Sequence, residues 1–80
     1  MKDKFRIRIC SDLDYEEMVA DISYENQTVA TITQENGINK MEIEIFSLEG
    51  GKPWRFLLSD FIKNIELARK RLIEMQKLPE

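Results

Sequence analysis

Polar and apolar residues alternate strictly near the start of the chain. A period of two is typical of a strand that buries one face. The pattern therefore predicts a first strand over residues 4–10. Its two faces carry Phe5, Ile7 and Ile9 on one side and Arg6, Arg8 and Cys10 on the other.

Asn36-Gly37 lies between two runs of strand-forming residues, and this dipeptide is the strongest short signal for a hairpin. A two-residue turn there pairs Ile32 with Met41 and Ala30 with Ile43. Inward-facing residues then meet inward-facing residues, whereas a slip of one residue mixes the two faces. The predicted strands on either side of the turn are residues 27–34 and 39–48.

Residues 17–24 are predicted to form the second strand. A three-residue loop, Tyr24-Glu25-Asn26, joins it to the next strand and pairs Ala20 with Ala30. Apolar residues over 13–20 also recur at helical spacing, so a helix there stays open as an alternative. The connection before this strand does not decide on which side of the sheet the first strand lies.

Gly50-Gly51 predicts a further turn, after which Trp54, Phe56 and Leu58 continue the alternation. Pro53 has no N–H to donate, so this fifth strand should be short and lie at an edge. The spacing then changes to that of a helix over residues 59–77. Its apolar stripe consists of Phe61, Ile65, Ala68, Leu72 and Met75.

The helix stripe and the inner face of the sheet must each be buried, and each is the other's natural cover. The predicted fold class is therefore α+β, an antiparallel β-meander of four to five strands with one C-terminal helix packed on one face. The 80 residues form a single domain. We expect the sheet in residues 1–58 and the helix in residues 59–77.

The composition of the chain narrows the range of partners and functions that it could have. The chain has 12 basic and 15 acidic residues, a net charge of −3 and no histidine. This balance argues against nucleic acid and anionic membranes as partners and permits a basic protein. The start of the chain does not resemble a signal peptide, and no window approaches the roughly 18 consecutive apolar residues of a membrane span. One cysteine, Cys10, cannot form an internal disulfide, so we expect a cytoplasmic location.

Two groups of residues could carry chemistry. Asp12, Asp14, Glu16 and Glu17 begin with the spacing of a calcium loop, but the glycine and the later glutamate of that loop are missing. A solvated connection between strands explains them more simply. Cys10 could be a nucleophile if the arginines on its face lowered its pKa, but no histidine base exists. We predict no catalytic residue, no metal site and no cofactor.

Several segments of the chain resemble a set of short, uncharacterised bacterial proteins that open with an FRIRICS-type strand. The segments are residues 5–12, Tyr15-Glu16, Val29-Ala30 and residues 34–37, followed by a closing helix around Asp60-Phe61. The resemblance implies a bacterial or phage origin and assigns no role to any residue. Bacterial proteins of this size and plan are commonly antitoxins, immunity proteins or other inhibitors.

We therefore expect a non-enzymatic protein-binding domain, specifically a small acidic inhibitor or immunity protein. Acidic groups would speed association with a basic partner, and exposed apolar groups would anchor it. The alternative is a structural or regulatory module that self-associates, as a homodimer, through an edge strand or the outer sheet face. The expected partner-binding residues are Asp12, Asp14, Glu16, Glu17, Glu42, Glu44, Phe46 and Leu57.

Overall fold

A computed structural model describes residues 4–11 and 15–76 of the chain. Within them lie four strands and one α-helix: β1 (Phe5–Cys10), β2 (Val19–Tyr24), β3 (Gln27–Thr33), β4 (Glu42–Ile45) and α1 (Leu58–Gln76). The strands form one antiparallel sheet in the order β1-β2-β3-β4. The predicted α+β meander is confirmed, and β1 lies at the edge beside β2.

The core lies between α1 and the inner face of the sheet. Alternate strand residues point toward the helix, as the period of two predicts, and Ala20, Ile22 and Ala30 are fully buried there. On the helix, Ala68 and Leu72 are fully buried against them. The small side chains let the helix approach the sheet closely. Half-buried residues complete this layer: Ile7, Ile9, Met18, Tyr24, Met41, Phe56, Phe61 and Ile65.

The turn between β2 and β3 is tighter than predicted. Glu25 and Asn26 are its two central residues, and both have positive φ, 49° and 70°, as in the type I′ turns that suit antiparallel strands. Tyr24 therefore belongs to β2 and pairs with Gln27. Continued without interruption, this register would put Ile22 opposite Val29 and mix the faces. A β-bulge absorbs the extra residue, so Ile22 pairs with Ala30. The predicted pairing of Ala20 with Ala30 was therefore wrong, and Ala20 pairs with Ile32.

The reversal between β3 and β4 is longer than a two-residue turn. A hydrogen bond from Gly37 N–H to the Gln34 carbonyl closes a turn, and a short 3₁₀ helix, Ile38–Lys40, follows it. The predicted register was wrong by two residues, because Ile32 pairs with Ile43 and not with Met41. A shift of two preserves the faces, so Ile32 and Met41 still lie on the same side of the sheet.

The predicted fifth strand is not formed by residues 52–57. Gly50 and Gly51 both have positive φ in a 3₁₀ turn, Glu49–Gly51, and the chain leaves the sheet after it. Phe56 instead crosses the end of the inner face, where its ring centroid lies 4.8 Å from that of Phe5 and 4.9 Å from that of Tyr24. Trp54 stacks on Phe56 at 5.3 Å. Packing against these rings replaces the strand pairing that the alternation predicted.

Helix α1 begins at Leu58, one residue earlier than predicted, and residue 77 lies outside the described residues. The first intrahelical bond runs from Phe61 N–H to the Leu57 carbonyl. Asp60 lies in the first turn, where the helix dipole favours an acid. The helix packs mainly against β1 and β2. This offset toward one edge determines which apolar groups of the sheet stay uncovered.

Candidate functional site

Strand β4 carries exposed apolar side chains on the face that the helix covers elsewhere. Ile43 is 41% exposed and Ile45 is 61% exposed, although their partners on β3, Ile32 and Ala30, are buried. Both isoleucines were predicted to lie inward and be covered. Their side chains lie on the predicted face of the sheet, but the helix does not cover them as predicted.

The reason is the width of the sheet. Neighbouring strands lie about 4.8 Å apart, so β4 lies about 12 Å from a line midway between β1 and β2. A helix with its side chains has a radius of only about 5–6 Å. A single helix placed over β1 and β2 cannot reach β4, and the apolar face of this strand is left open.

The outer edge of β4 is also open. Phe46 N–H donates to the Val29 carbonyl at 2.8 Å. Val29 and Phe46 therefore form a hydrogen-bonded cross-strand pair, which continues the ladder between β3 and β4. Because such pairs alternate along an antiparallel ladder, the backbone groups of Ile43 and Ile45 point away from β3. Among the described residues no further strand pairs with this edge.

A groove of about 390 Å³ continues the apolar surface beyond the end of β4. Phe46, 39% exposed, lies on one side of it. The indole of Trp54 forms part of the floor, and its buried Nε1 has no hydrogen-bond partner. The full lining is Val29, Ile45, Phe46, Ser47, Pro53, Trp54, Phe56, Leu58 and Phe61.

The opposite face of β4 is acidic. Glu42 and Glu44 are both exposed there, and Glu44 pairs with Thr31 of β3. Glu42 and Glu44 thus alternate with the two exposed isoleucines along one short strand. The strand presents carboxylates on one face and apolar groups on the other.

A hydrogen-bonded group lies at the centre of the same outer face. Thr31 Oγ1 donates to one oxygen of the Asp21 carboxylate at 2.8 Å, and Cys10 Sγ donates to the other at 3.4 Å. Burial raises the pKa of the Cys10 thiol, and the hydrogen bond and charge of Asp21 raise it further, while Arg8 opposes them. The expected lowering of the pKa by a neighbouring arginine is thus outweighed, and Cys10 lacks the lowered pKa that activates a nucleophilic cysteine.

The predicted acidic loop is only partly described. Asp12 and Asp14 lie outside the described residues. Glu16 and Glu17 are exposed, and their backbone N–H groups donate to the two carboxylate oxygens of Glu35 at 3.0 and 2.8 Å. Residues 15–18 form neither the predicted start of β2 nor a helix. Glu35 therefore holds this loop against the reversal after β3.

The structure brings together only some of the predicted binding residues. Glu42 and Glu44 are exposed on the outer face of β4, and Phe46 follows directly after the strand and lines the groove. Leu57 is 70% exposed, but it does not line the groove that contains Phe46. Sequence reasoning missed Ile43 and Ile45 as surface residues. The signal that could have identified them was the mismatch between one helix and a sheet of four strands.

The described residues contain no group of three or more His, Cys, Asp or Glu side chains placed to hold a metal ion. Nowhere in the described part of the chain does a helix combine the length and apolar character that crossing a membrane requires. Comparisons of the chain with protein-family models, curated proteins and solved structures found no match.

Proposed function

We propose that this chain is a non-enzymatic protein-binding domain that adds an extended segment of a basic partner to the open edge of β4. The observation that carries the proposal is the exposure of Ile43 and Ile45, 41% and 61%, on an edge strand whose other face carries two glutamates. Adding a strand to such an edge is a common mode of peptide recognition. The backbone supplies affinity and the alternating side chains supply selectivity.

The partner's chemistry follows from the two faces. Residues opposite Ile43 and Ile45 should be apolar, because they would cover apolar surface that now meets water. Residues opposite Glu42 and Glu44 should be lysine or arginine, because opposite charges stabilise cross-strand pairs and like charges destabilise them. The net charge of −3 favours encounter with a basic protein as well.

The biological role that fits such a surface is a small acidic inhibitor of the immunity-protein kind, acting in the cytoplasm on a basic target. This role is supported by the size of the chain, its acidity and its single cysteine. Neutralising a partner in this way requires binding without catalysis.

The test is a titration of the ¹⁵N-labelled chain, followed by NMR, with two synthetic eight-residue peptides. One peptide alternates isoleucine with lysine, and the matched control alternates isoleucine with glutamate. We expect the lysine peptide to shift the amide signals of Ile43 and Ile45 and the glutamate peptide to bind much more weakly. The variant E42Q/E44Q should reduce this preference. Equal binding of both peptides, or shifts centred away from β4, would contradict the proposal.

A further inference from the structure

The outer face of β1 carries two arginines that take part in no ion pair among the described residues. Arg6 and Arg8 are both exposed there. The ion pairs that do form in this part of the chain join other residues: Lys4 with Glu25, and Arg69 with Glu66. Two positions apart on a strand, the Cα atoms of Arg6 and Arg8 lie about 7 Å from each other, so their charges repel. An anion placed between the two guanidinium groups would relieve this repulsion.

The cross-strand neighbours on β2 explain why these arginines form no ion pair. Ser23 lies opposite Arg6, and it offers a hydroxyl instead of a carboxylate. Asp21 lies opposite Arg8, but its two carboxylate oxygens already accept hydrogen bonds from two other side chains. Each arginine carries five N–H donors in a planar group. Most of these donors therefore stay available to an acceptor from outside the chain.

A polar groove of about 410 Å³ lies beside the two arginines. Thr28 of β3 lies opposite Ser23, so one row across three strands consists of Arg6, Ser23 and Thr28. The small side chains of this row leave space above β2, between the arginines of β1 and Asn26 of the following turn. The volume falls within the range of about 300–1,000 Å³ that is typical of small-molecule sites.

We infer that this groove binds a small sugar phosphate, at a site separate from the open edge of β4. Arg6 and Arg8 hold the phosphate oxygens, because a guanidinium group donates two parallel N–H groups to such an anion. The hydroxyls of Ser23 and Thr28 and the amide of Asn26 bind the hydroxyl groups of the sugar. The described lining includes no aromatic side chain on which a base could stack. The groove therefore favours a sugar phosphate over a nucleotide.

The local charge favours an anion, although the chain as a whole is acidic. Asp21 is the single carboxylate beside two arginines in the described lining. The nearby Lys4 and Glu25 side chains neutralise each other at 3.5 Å. Glu42 and Glu44 belong to β4, which lies three strands away, or about 14 Å from β1. Because this distance exceeds the Debye length of about 8 Å at physiological ionic strength, their repulsion of the phosphate is largely screened.

Titration of the ¹⁵N-labelled full chain with glucose 6-phosphate, followed by NMR at low salt, tests the inference. We expect saturable shifts of the Arg6, Arg8 and Ser23 amide signals. The Kd should be on the order of 1 mM, since the groove is open and offers few contacts. Glucose lacks the phosphate and should cause no shift. Inorganic phosphate should shift the same amides but bind several-fold more weakly, because it makes no contact with the sugar-binding groups.

Variants separate recognition by the guanidinium groups from attraction by charge. R6Q should raise the Kd by about tenfold, because it removes charge-assisted hydrogen bonds to the phosphate. R6K keeps the charge but loses the planar group, so its Kd should lie between those of the wild type and R6Q. The matched control is R55Q, which removes an exposed arginine outside the groove and should leave the Kd unchanged. Circular dichroism checks that each variant folds.

Three results would overturn the inference. The first is the absence of shifts at the groove, or shifts spread evenly over the basic residues of the surface. The second is an equal loss of affinity in R55Q and R6Q, which would show that net charge alone attracts the ligand. The third is equal affinity for inorganic phosphate and glucose 6-phosphate. Because the peptide titration reads the opposite edge of the sheet, a chain that binds the lysine peptide but not the sugar phosphate loses only this site, and the reverse result removes only the proposed function.

Discussion

Replacing Glu35 by alanine should release the loop before β2. The Glu35 carboxylate accepts two backbone N–H groups, from Glu16 at 3.0 Å and from Glu17 at 2.8 Å. A single side chain thus joins segments 18 and 19 residues apart in the sequence. Removing it leaves two donors to water and frees the loop to move away from the reversal after β3.

The magnitude follows from the number and setting of the bonds. One hydrogen bond contributes about 0.5–1.5 kcal/mol to the unfolding free energy. A charged acceptor brings the contribution toward the upper end of this range, and exposure to water lowers it. Two exposed bonds to a carboxylate therefore contribute about 1–2 kcal/mol. Glu35→Gln keeps one acceptor oxygen without the charge and should cost about half as much.

Amide hydrogen exchange measured by NMR reports the local effect. We expect the Glu16 and Glu17 amides to exchange about 5–30-fold faster in Glu35→Ala, which is the factor that 1–2 kcal/mol implies. Urea denaturation gives the accompanying loss of unfolding free energy. Glu42→Ala is the matched control, because it removes the same charge from an exposed position on β4. Unchanged protection of these two amides in Glu35→Ala would refute the reasoning.

Three further outcomes are expected. Leu72 is fully buried, so Leu72→Ala should lower the unfolding free energy by about 2–5 kcal/mol. Leu67 is 37% exposed, so Leu67→Ala should lower it by under about 1 kcal/mol. Similar losses for the two variants in urea denaturation would contradict the assignment of Leu72 to the face of α1 that packs on the sheet. Burial and then Asp21 raise the pKa of Cys10 above 9.0, so Asp21→Asn should lower the midpoint of the pH profile for reaction with a disulfide reagent. The raised pKa stabilises the folded chain below pH 9.0, and this contribution to the unfolding free energy should be lost as the pH rises through the folded-state pKa of Cys10. The variant Cys10→Ser lacks the thiol, so its unfolding free energy should not show this loss.

Local periodicity was enough to predict the elements and their faces. Alternation along β2 and β3 assigned Ala20, Ile22, Ala30 and Ile32 to the inner face, and all four are buried. The helix was predicted to within a residue of its start, since a change of period from 2 to 3.6 is visible in the chain itself. These features depend on neighbours in sequence, so sequence reasoning could reach them.

The registers could not be predicted in the same way. Asn36-Gly37 suggested a two-residue turn, but the Gln34 side chain donates to the Met18 carbonyl at 2.8 Å, and Glu35 binds the loop beside it. These long-range bonds tie the end of β3 to another part of the chain and displace the turn. The local preference of a dipeptide was outweighed by contacts that no short window contains.

The sequence by itself determined which side chains of each strand and of the helix share a face, because the periods of 2 and 3.6 are properties of the backbone alone. Only the tertiary structure decided where those faces are covered. Helix α1 is too narrow for the sheet, and residues 52–57 leave the ladder to pack Phe56 on Phe5 and Tyr24. Ile43 and Ile45 therefore remain in water beside an open edge, and the candidate binding surface exists because one helix cannot cover four strands.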